Sequence, residues 1–384
     1  MVPSFIAKIS GLLMMMVVAV ATAGSSSPAT NISTSKDTVA IYWGQNSLGY
    51  LSNFKNNEKE LWWYCNWDSV DIIMLAFMQD FPGTYSSKYE TYIPTLSFPH
   101  HKDSEFSVNN TAVMSRIAKD IKYCQKRNKK ILLSLGGEAG SYGFDSTEQA
   151  QEFGHTLWQM FGEKNHTKSN ITLPRPFGDS VIDGFDFDIE NDQTEGYVTL
   201  IETLQNYTSS STKKKYYYSA APQCPYPDQN MNTILAGNSL DMVFVQFYNN
   251  DCNANSNSSF NWDTWADYAQ NTSLNSDVQV YLGLPGSVNS SSTGYIETSA
   301  ELQTLIKSVD SDSHFGGVML WEASMSFQNK PTDSKNSYPM TIKNILKSQV
   351  DNSTVKINGA MDSKKNHMNL ALAIVAFGWI ILTV

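Results

Sequence analysis

Short apolar runs recur along the chain, and each has about the length of one buried strand. Eight such runs occupy residues 39–45 (VAIYWGQ), 71–78 (DIIMLAFM), 129–137 (KKILLSLGG), 181–190 (VIDGFDFDIE), 215–223 (KYYYSAAPQ), 242–249 (MVFVQFYN), 279–287 (QVYLGLPGS) and 315–324 (FGGVMLWEAS). Between most of them the apolar residues follow helical spacing, and the predicted helices cover residues 111–127, 146–164, 195–207 and 298–309. The pattern therefore predicts strands that alternate with helices.

Two of the predicted helices begin with residues that can cap them. Thr298 precedes Glu301 by three positions, and Ser146 precedes Gln149 in the same way. A hydroxyl residue followed three positions later by Glu or Gln is typical of a capping box, in which each side chain bonds the other residue's backbone N–H group. We predict a capping box at both helix starts.

Alternating strands and helices favour an α/β fold with a parallel sheet. Eight units between residues 38 and 325 fit a (β/α)8 or TIM barrel, for which about 250 residues are typical. A doubly wound open sheet is the rival, but no G-x-G-x-x-G motif follows the first strand. We predict a single folded domain over residues 38–350, with long segments at 79–110 and 164–178 that line a site.

The first residues have the features of a secretory signal. Lys8 precedes an apolar run at 11–21, which is followed by small residues. That run is too short to span a bilayer. We therefore predict a cleaved signal peptide over residues 1–23 and a short N-terminal segment over 24–37. An uncleaved anchor is the alternative.

The last residues predict a glycosylphosphatidylinositol (GPI) anchor. Asn358 and the small residues after it precede a polar spacer, and residues 370–384 form an uncharged apolar tail. That order is typical of a GPI-attachment signal, whereas a plain membrane anchor needs a longer apolar segment. We predict attachment at Asn358 after a linker over 351–358, with removal of the propeptide 359–384. The protein is thus expected to be secreted and held at the plasma membrane or cell wall.

Composition agrees with export and argues against several partners. The 384 residues carry a formal net charge of −10 without a basic stripe, so nucleic acid is not expected to bind. The four cysteines suggest two disulfides, with three possible connectivities. Neither their spacing nor the scattered histidines match a metal site, and no cofactor is expected. Nine N-x-S/T sequons are predicted glycosylation sites: Asn31, Asn109, Asn165, Asn170, Asn206, Asn257, Asn271, Asn289 and Asn352.

Four acids lie close together in the segment VIDGFDFDIEND, residues 181–192. Side chains alternate faces along a strand, so Asp186, Asp188 and Glu190 point one way and the intervening apolar residues point the other. In a barrel these three acids face the axis and climb towards the carboxyl-end rim, where barrel enzymes place their chemistry. Asp183 points to the opposite side and is expected to bond backbone groups at the strand entry.

Three ionised carboxylates in a low dielectric repel one another strongly, so at least one should hold a proton at neutral pH. Glu190 is outermost, and a protonated carboxyl group at the rim is what a general acid requires. Asp188 beneath it is expected to raise its proton affinity, and Asp186 to share a proton with Asp188. The alternative is a solvated polar strand face, which buried parallel strands seldom carry.

The acidic segment also carries a family resemblance. Residues 183–190 (DGFDFDIE) fit the D-G-x-D-x-D-x-E signature of glycoside hydrolase family 18, and residues 134–137 (SLGG) fit its S-x-G-G motif. The stretches AIYWGQN, QFYNN and LGLPGS resemble the plant and fungal class III branch of its chitinases. The overall plan is similar to that of GPI-anchored yeast cell-surface chitinases. The resemblance implies a (β/α)8 barrel that cleaves β-1,4-linked N-acetylglucosamine polymers internally.

The resemblance further implies substrate-assisted catalysis, an exception to the scheme with two opposed carboxylates. Asp188 sits beside Glu190 and cannot attack from the opposite face of the sugar, so the 2-acetamido oxygen of the substrate is the implied nucleophile. Glu190 would protonate the leaving oxygen and then activate water, while Asp188 would hold the acetamido N–H group. The anomeric configuration should be retained.

Further positions match the family's substrate contacts. Tyr248 is implied to be a catalytic residue that hydrogen-bonds the acetamido oxygen, and Trp321 to form the floor of the central sugar subsite. Gln246 lies on the same strand face as Tyr248 and is expected to contact the sugar, and Asn249 stands where the bacterial-type branch has aspartate. Tyr42 and Phe77, near the ends of the first two strands, and Gly136, which leaves room beside the backbone, are further predicted substrate-binding residues. The resemblance also implies the disulfides Cys65–Cys124 and Cys224–Cys252.

The expected partners are chitin or N-acetylglucosamine oligosaccharides and the GPI lipid, and the chain is expected to be a monomer. Two alternative functions stay open. An endo-β-N-acetylglucosaminidase acting on N-glycans shares the fold and the acidic motif. A non-catalytic lectin of the same fold lacks the acid, whereas Glu190, Asp188 and Tyr248 are all present here.

Overall fold

The computed structural model describes residues 35–350, apart from residues 54, 56–57, 99–110, 165–171, 212–213 and 257. The strands in this part of the chain are β1 (Thr38–Trp43), β2 (Ile72–Ser86), β3 (Thr91–Leu96), β4 (Lys130–Gly136), β5 (Ser141–Tyr142), β6 (Gly184–Asp188), β7 (Tyr217–Ala220), β8 (Met242–Gln246), β9 (Gln279–Pro285) and β10 (Phe315–Trp321). The helices are α1 (Ser47–Leu51), α2 (Leu61–Tyr64), α3 (Thr111–Gln125), α4 (Thr147–Phe161), α5 (Tyr197–Ser211), α6 (Asn232–Gly237), α7 (Trp262–Asp267), α8 (Ser299–Val309), α9 (Ala323–Gln328) and α10 (338–350). A π-helical turn, Tyr268–Thr272, continues α7.

Eight of the strands close into a parallel barrel in the order β1, β2, β4, β6, β7, β8, β9 and β10. Parallel pairing of β1 with both β2 and β10 completes the ring. All eight predicted strands are present, so the predicted (β/α)8 fold is confirmed. The long segment after the second predicted strand begins as a hairpin and not as a plain loop, because β2 continues to Ser86 and pairs antiparallel with β3.

Side chains on the barrel strands alternate between two buried apolar layers. Tyr42 of β1 belongs to the layer inside the barrel, whereas Phe185 and Phe187 of β6 lie in the layer between the strands and the helices. Because faces alternate along a strand, the intervening Asp186 and Asp188 point towards the barrel axis. The same alternation that fills the core therefore carries acids into it.

The four predicted helices are present as α3, α4, α5 and α8, and their starts differ in detail. Thr298 and Glu301 form the predicted capping box at α8. At α4, the Ser146 side chain accepts a hydrogen bond from the Gln149 N–H group (3.2 Å). The Gln149 side chain, however, accepts from the Asp145 N–H group (2.8 Å) and not from that of Ser146. The predicted capping box at α4 is therefore wrong in its second half, since Gln149 reaches one residue further back.

Two disulfides flank the barrel strands. Cys65–Cys124 links the end of α2 to α3, and Cys224–Cys252 links the segments that follow β7 and β8. This is the pairing that the family resemblance implied. Of the predicted sequons, three are described and exposed, namely Asn206, Asn271 and Asn289. The other six lie outside the described residues, and glycosylation stays a prediction.

Helix α10 runs from the carboxyl-end rim of the barrel to the amino end of the barrel. At its start, Tyr338 Oη donates to the Ile296 carbonyl oxygen (2.9 Å), in the loop after β9. Further along, the buried Lys343 ammonium group donates to the Asp37 carbonyl oxygen and to Asp71 Oδ2 (2.8 Å). Asp37 and Asp71 directly precede β1 and β2. Lys343 therefore ties the first two strands together at the amino end of the barrel.

Among the residues that the structure describes, no helix combines the length and the apolar character needed to cross a membrane. The predicted signal peptide (1–23), the linker (351–358), the attachment residue Asn358 and the propeptide (359–384) all lie outside the described residues. They stay predictions from the sequence.

Lys343→Met keeps an apolar stem of similar length but removes the ammonium group. We expect it to lower the free energy of unfolding by about 2–3 kcal/mol, because Asp71 and the Asp37 carbonyl group lose a buried partner. Denaturant unfolding at neutral pH measures this change.

Lys347→Met is the matched control, since Lys347 lies one turn later on the same helix but is exposed. Its effect should stay below about 0.5 kcal/mol. Equal losses of stability in the two variants would contradict the role assigned to Lys343.

Candidate active site

The acidic segment brings three carboxyl groups to the carboxyl-end rim of the barrel. Asp186 and Asp188 lie on β6 and are buried, and half-buried Glu190 follows the strand by two positions. Gly136 of the neighbouring β4 has a φ angle of +111°, and a Cβ atom there would lie 2.1 Å from the Asp188 carbonyl oxygen. Glycine therefore lets β4 pack directly beside the acids. A contact between Gly136 and a sugar stays a prediction.

Asp186 is held by three hydroxyl groups from three different strands. Its Oδ2 atom accepts hydrogen bonds from Tyr42 Oη (2.9 Å) and Ser134 Oγ (2.7 Å), and its Oδ1 atom accepts one from Ser219 Oγ (2.6 Å). Burial raises the pKa of Asp186, and these hydrogen bonds oppose the rise. We expected Asp186 to share a proton with Asp188. The hydrogen bonds of Asp186 go instead to hydroxyl groups.

The Asp188 and Glu190 side chains lie within hydrogen-bonding reach of each other, and a hydrogen bond between two carboxyl groups requires that one of them hold a proton. Burial raises the pKa of Asp188 well above its ordinary value, and the charges of Glu190 and Asp186 raise it further. Gln246 Nε2 donates to Asp188 Oδ1 (3.0 Å) and to the Ala221 carbonyl oxygen (2.9 Å). Gln246 thus fixes the orientation of the buried acid, and its contact with a sugar stays a prediction.

Glu190 has the surroundings of an acid that titrates near neutral pH. Burial raises its pKa to about 7, and the charges of Glu138 and Asp228 contribute to the rise. Hydrogen bonds from the Gln223 and Asp188 side chains oppose it. A protonated carboxyl group is therefore available at the rim at neutral pH, as a general acid requires.

Sequence reasoning missed four residues around this acid, namely Glu138, Tyr142, Gln223 and Asp228. Tyr142 Oη accepts a hydrogen bond from the Glu190 N–H group (3.0 Å) and donates to the Gly137 carbonyl oxygen (2.8 Å). Glu138 and Gln223 had a usable signal, because each lies at the carboxyl end of a predicted strand. Tyr142 and Asp228 lie deeper in the connections, where no spacing marks them.

Three of the predicted aromatic residues meet at the rim. The ring centroids of Tyr42 and Trp321 are 5.5 Å apart, and those of Phe77 and Trp321 are 5.9 Å apart with nearly parallel planes. Trp321 is half-buried, whereas Tyr42 and Phe77 are buried. Trp321 is therefore a partly exposed indole ring supported by two buried rings, which suits stacking on the apolar face of a pyranose.

Tyr248 and Asn249 follow β8 and have different surroundings. Tyr248 is buried, and the charges of Asp188 and Glu190 add to the effect of burial in raising its pKa, so its hydroxyl group lies near both acids. Asn249 is exposed, and its Oδ1 atom accepts hydrogen bonds from Ser292 N (2.8 Å) and Ser292 Oγ (2.9 Å). The Asn249 side-chain oxygen is engaged by the protein, and its sugar contact stays a prediction.

Asp183 lies at the entry of β6, on the side away from these acids. Its Oδ2 atom accepts hydrogen bonds from Ile131 N (2.9 Å) and Gln125 Nε2 (2.9 Å), and its Oδ1 atom pairs with Lys214 Nζ at 2.9 Å. Asp183 therefore bonds backbone at the strand entry, as predicted.

A second buried carboxyl pair, Glu58 and Glu322, supports the aromatic floor. Burial raises the pKa of both side chains, and the charge of Glu322 raises that of Glu58 further. Glu58 Oε2 accepts from the Gly44 N–H group (3.0 Å) after β1, and Glu322 caps α9 directly after Trp321. This pair thus links the loops after β1 and β10. A cavity of about 840 Å³ lies on its outer side and is lined by Glu58 but by none of the acids on β6.

The arrangement can donate a proton to a sugar oxygen and take it back. It offers an acid with a raised pKa, an adjacent oriented carboxyl group and a half-buried aromatic ring within one rim. In the part of the chain that the structure describes, no group of three or more His, Cys, Asp or Glu residues is arranged to hold a metal ion.

The chain is similar in sequence to characterised fungal proteins. It is 42% identical over 313 residues to "Chitinase 3" of Candida albicans, and the match covers 82% of this chain and 51% of that protein. It is 39% identical over 319 residues to "Endochitinase" of Saccharomyces cerevisiae, and the match covers 83% of this chain and 52% of that protein. The chain thus spans about half the length of the curated relatives it matches.

A solved structure and a family model also match this chain. The solved structure of ICChI chitinase from Ipomoea carnea aligns with a TM-score of 0.61 at 30% identity, and the alignment covers 80% of this chain and 99% of that one. The model of "Glycosyl hydrolases family 18" matches residues 39–306, a range that contains the acidic segment and Tyr248. The resemblance inferred from the acidic motif is therefore confirmed, and the chain belongs to glycosyl hydrolases family 18.

Proposed function

We propose that this protein is an endochitinase that hydrolyses β-1,4 linkages between N-acetylglucosamine units with retention of anomeric configuration. The observation that carries the proposal is the adjacent pair of Asp188 and half-buried Glu190 at the end of β6, at the same barrel rim as half-buried Trp321 at the end of β10. The names of the fungal relatives support chitin as the substrate.

Glu190 acts first as the general acid and then as the general base. It is the outer, less buried member of the pair, so it reaches the glycosidic oxygen and gives up its proton as the bond breaks. The Glu190 carboxylate then takes a proton from water, which attacks the anomeric carbon. A pKa of about 7 suits both steps, because each protonation state is populated near neutral pH.

The nucleophile comes from the substrate. Asp188 neighbours Glu190 on one side of the cleft, so no carboxylate of this pair can attack the opposite face of the sugar. The 2-acetamido oxygen attacks the anomeric carbon and forms an oxazolinium ion. Asp188, held by Gln246, accepts a hydrogen bond from the acetamido N–H group and stabilises the positive charge. Tyr248 donates to the acetamido oxygen and aligns it.

The proposed location is the cell surface, where the enzyme would remodel wall chitin as a GPI-anchored monomer. The sequence pattern at the two chain ends supports export and GPI attachment at Asn358. Phosphatidylinositol-specific phospholipase C added to intact cells tests this location. Activity that stays bound to both membrane and wall fractions of treated cells, with the apolar tail still detected by mass spectrometry, would contradict it.

A chitin hexamer incubated with the purified protein distinguishes the competing functions. We expect internal cleavage products whose new reducing ends are β-anomers, because two successive displacements at the anomeric carbon retain configuration. NMR of fresh products measures the anomer, and chromatography measures product length. A high-mannose glycopeptide should stay intact. Cleavage of the glycopeptide alone would favour an N-glycan endoglycosidase, and binding without any cleavage would favour a lectin.

Two variants complete this experiment. Glu190→Gln should abolish turnover yet retain binding of the hexamer, because the amide has the size of the acid but no proton to give. Asp188→Asn should lower kcat by about 10²–10³-fold, the usual cost of losing one group that stabilises developing charge. Wild-type turnover by Glu190→Gln would contradict the assignment of Glu190 as the general acid. An unchanged kcat in Asp188→Asn would contradict the substrate-assisted mechanism.

The pH dependence follows from the raised pKa of Glu190. Since the acid must be protonated to act, kcat/KM should fall as the pH rises through about 7. The negative charge of Glu138 helps to raise that pKa. Glu138→Gln should therefore move the alkaline limb of the pH profile, where kcat/KM falls with rising pH, to lower pH. Glu138 is exposed, and solvent screening limits the expected move to roughly a few tenths of a pH unit.

Glu152→Gln is the matched control for this shift, because Glu152 is an exposed glutamate in the middle of α4 and the charges that raise the pKa of Glu190 are those of Glu138 and Asp228. Its pH profile should superimpose on that of the wild type. A limb that stays in place in Glu138→Gln, or that moves to higher pH, would contradict the electrostatic account.

A further inference from the structure

Two amide side chains lead from the loop after β8 to the general acid. Asn250 Nδ2 donates to Gln223 Oε1 (3.1 Å) and to the Tyr248 carbonyl oxygen (3.3 Å). The Gln223 side chain in turn lies close enough to the Glu190 carboxyl group to lower its pKa as a hydrogen-bond donor. The Gln223 backbone also pairs with that of Gln246, whose side chain donates to Asp188 Oδ1 (3.0 Å). Asn250, Gln223 and Glu190 thus form a continuous chain of contacts, which we call the amide relay.

A backbone carbonyl group fixes the direction of the amide relay. A side-chain amide can be turned so that either its oxygen or its nitrogen faces a neighbour, and the hydrogen-bond network decides which. The Tyr248 carbonyl oxygen can only accept, so the Asn250 amide must turn its NH2 group that way. That NH2 group also faces Gln223, which must therefore present its oxygen to Asn250. The Gln223 NH2 group is left to face Glu190.

A disulfide bond joins the two segments that carry the amides of the relay. Cys224 directly follows Gln223, Cys252 lies two residues after Asn250, and the two cysteines are bonded. The Cys224 carbonyl oxygen also accepts a hydrogen bond from Nε1 of the buried Trp265 (3.0 Å). The Gln223 backbone N–H group donates to Asp228 Oδ2 (2.8 Å). The two amides are therefore placed by covalent and buried anchors.

The other titratable groups that face Glu190 are Asp188, Glu138, Asp228, Tyr142 and Tyr248. The charges of Glu138 and Asp228 favour the protonated acid, as burial does. Left unopposed, these influences would hold the proton on Glu190 and slow its transfer to the leaving group. An N–H donor aimed at the carboxyl group has the opposite effect, because it stabilises the anion.

We propose that Gln223 is a positioning residue, oriented by Asn250, that holds an N–H donor against the Glu190 carboxyl group and stabilises its anion after proton transfer. The inference rests on the proposed function, since it assigns to Glu190 the role of acid and base. It also assigns a purpose to the Cys224–Cys252 disulfide, which keeps the two amides within reach of each other.

The first test removes the donor. Gln223→Met keeps the length of the side chain but offers no N–H group, so the alkaline limb of kcat/KM on chitin hexamer should move up by about one pH unit, the cost of one hydrogen bond to a charged group. The second test reverses the relay. The carboxylate introduced by Asn250→Asp can only accept, so Gln223 should turn its NH2 group towards that carboxylate and its oxygen towards Glu190, which again moves the limb upwards.

The decisive measurement is the double variant Gln223→Met with Asn250→Asp. If Asn250 acts through Gln223, adding Asn250→Asp to Gln223→Met should not move the limb further. Asn255→Asp is the matched control, because it adds the same charge at an exposed position of the same loop, and its limb should match that of the wild type. Thermal unfolding of each variant shows that the fold is retained.

The outcomes separate this inference from the proposed function. If the wild type does not hydrolyse the hexamer, the proposed function fails. If the wild type is active but the limb stays in place in both folded single variants, the amide relay is wrong. If Asn250→Asp shifts the limb equally with and without Gln223, the effect is one of charge alone and the orienting role of Asn250 is wrong.

Discussion

Carboxyl groups crowded on one face of β6 repel one another, and the site is organised around relieving that repulsion. The deepest acid, Asp186, receives hydrogen bonds from three hydroxyl groups, so its charge is spread over donors from three strands. Asp188 and Glu190 solve the same problem by sharing a proton. The gradient from hydroxyl-bonded to proton-sharing carboxyl groups follows depth in the barrel. One proton can therefore be held between Asp188 and Glu190, next to the open rim where a substrate can reach Glu190.

Much of this architecture could be predicted because it depends on periods that the sequence shows directly. The eight apolar runs became eight barrel strands, and the two-residue alternation placed Asp186 and Asp188 on the inner face while Asp183 took the outer one. The same alternation explains why the phenylalanines of β6 pack outward. The face of a strand to which a side chain points depends only on the residue's position in that strand. The sequence of one segment is therefore enough to predict it.

What escaped prediction depends on contacts between distant connections. Tyr142 and Asp228 approach Glu190 from the connections of other barrel units, and their neighbours in sequence carry no sign of that approach. The second capping box failed for a subtler reason, since Gln149 could reach either Ser146 or Asp145 and only the turn geometry decides between them. The close approach of Gly136 to the Asp188 backbone also escaped prediction, because it depends on how two neighbouring strands pack.

The path of α10 has a consequence for the two ends of the described chain. Lys36 and Lys343 both make their contacts at the amino end of the barrel, so the described chain enters and leaves on the side opposite the acids. A tag or a solid support attached next to either of these described ends would therefore start from the face of the barrel that is opposite the rim carrying Glu190.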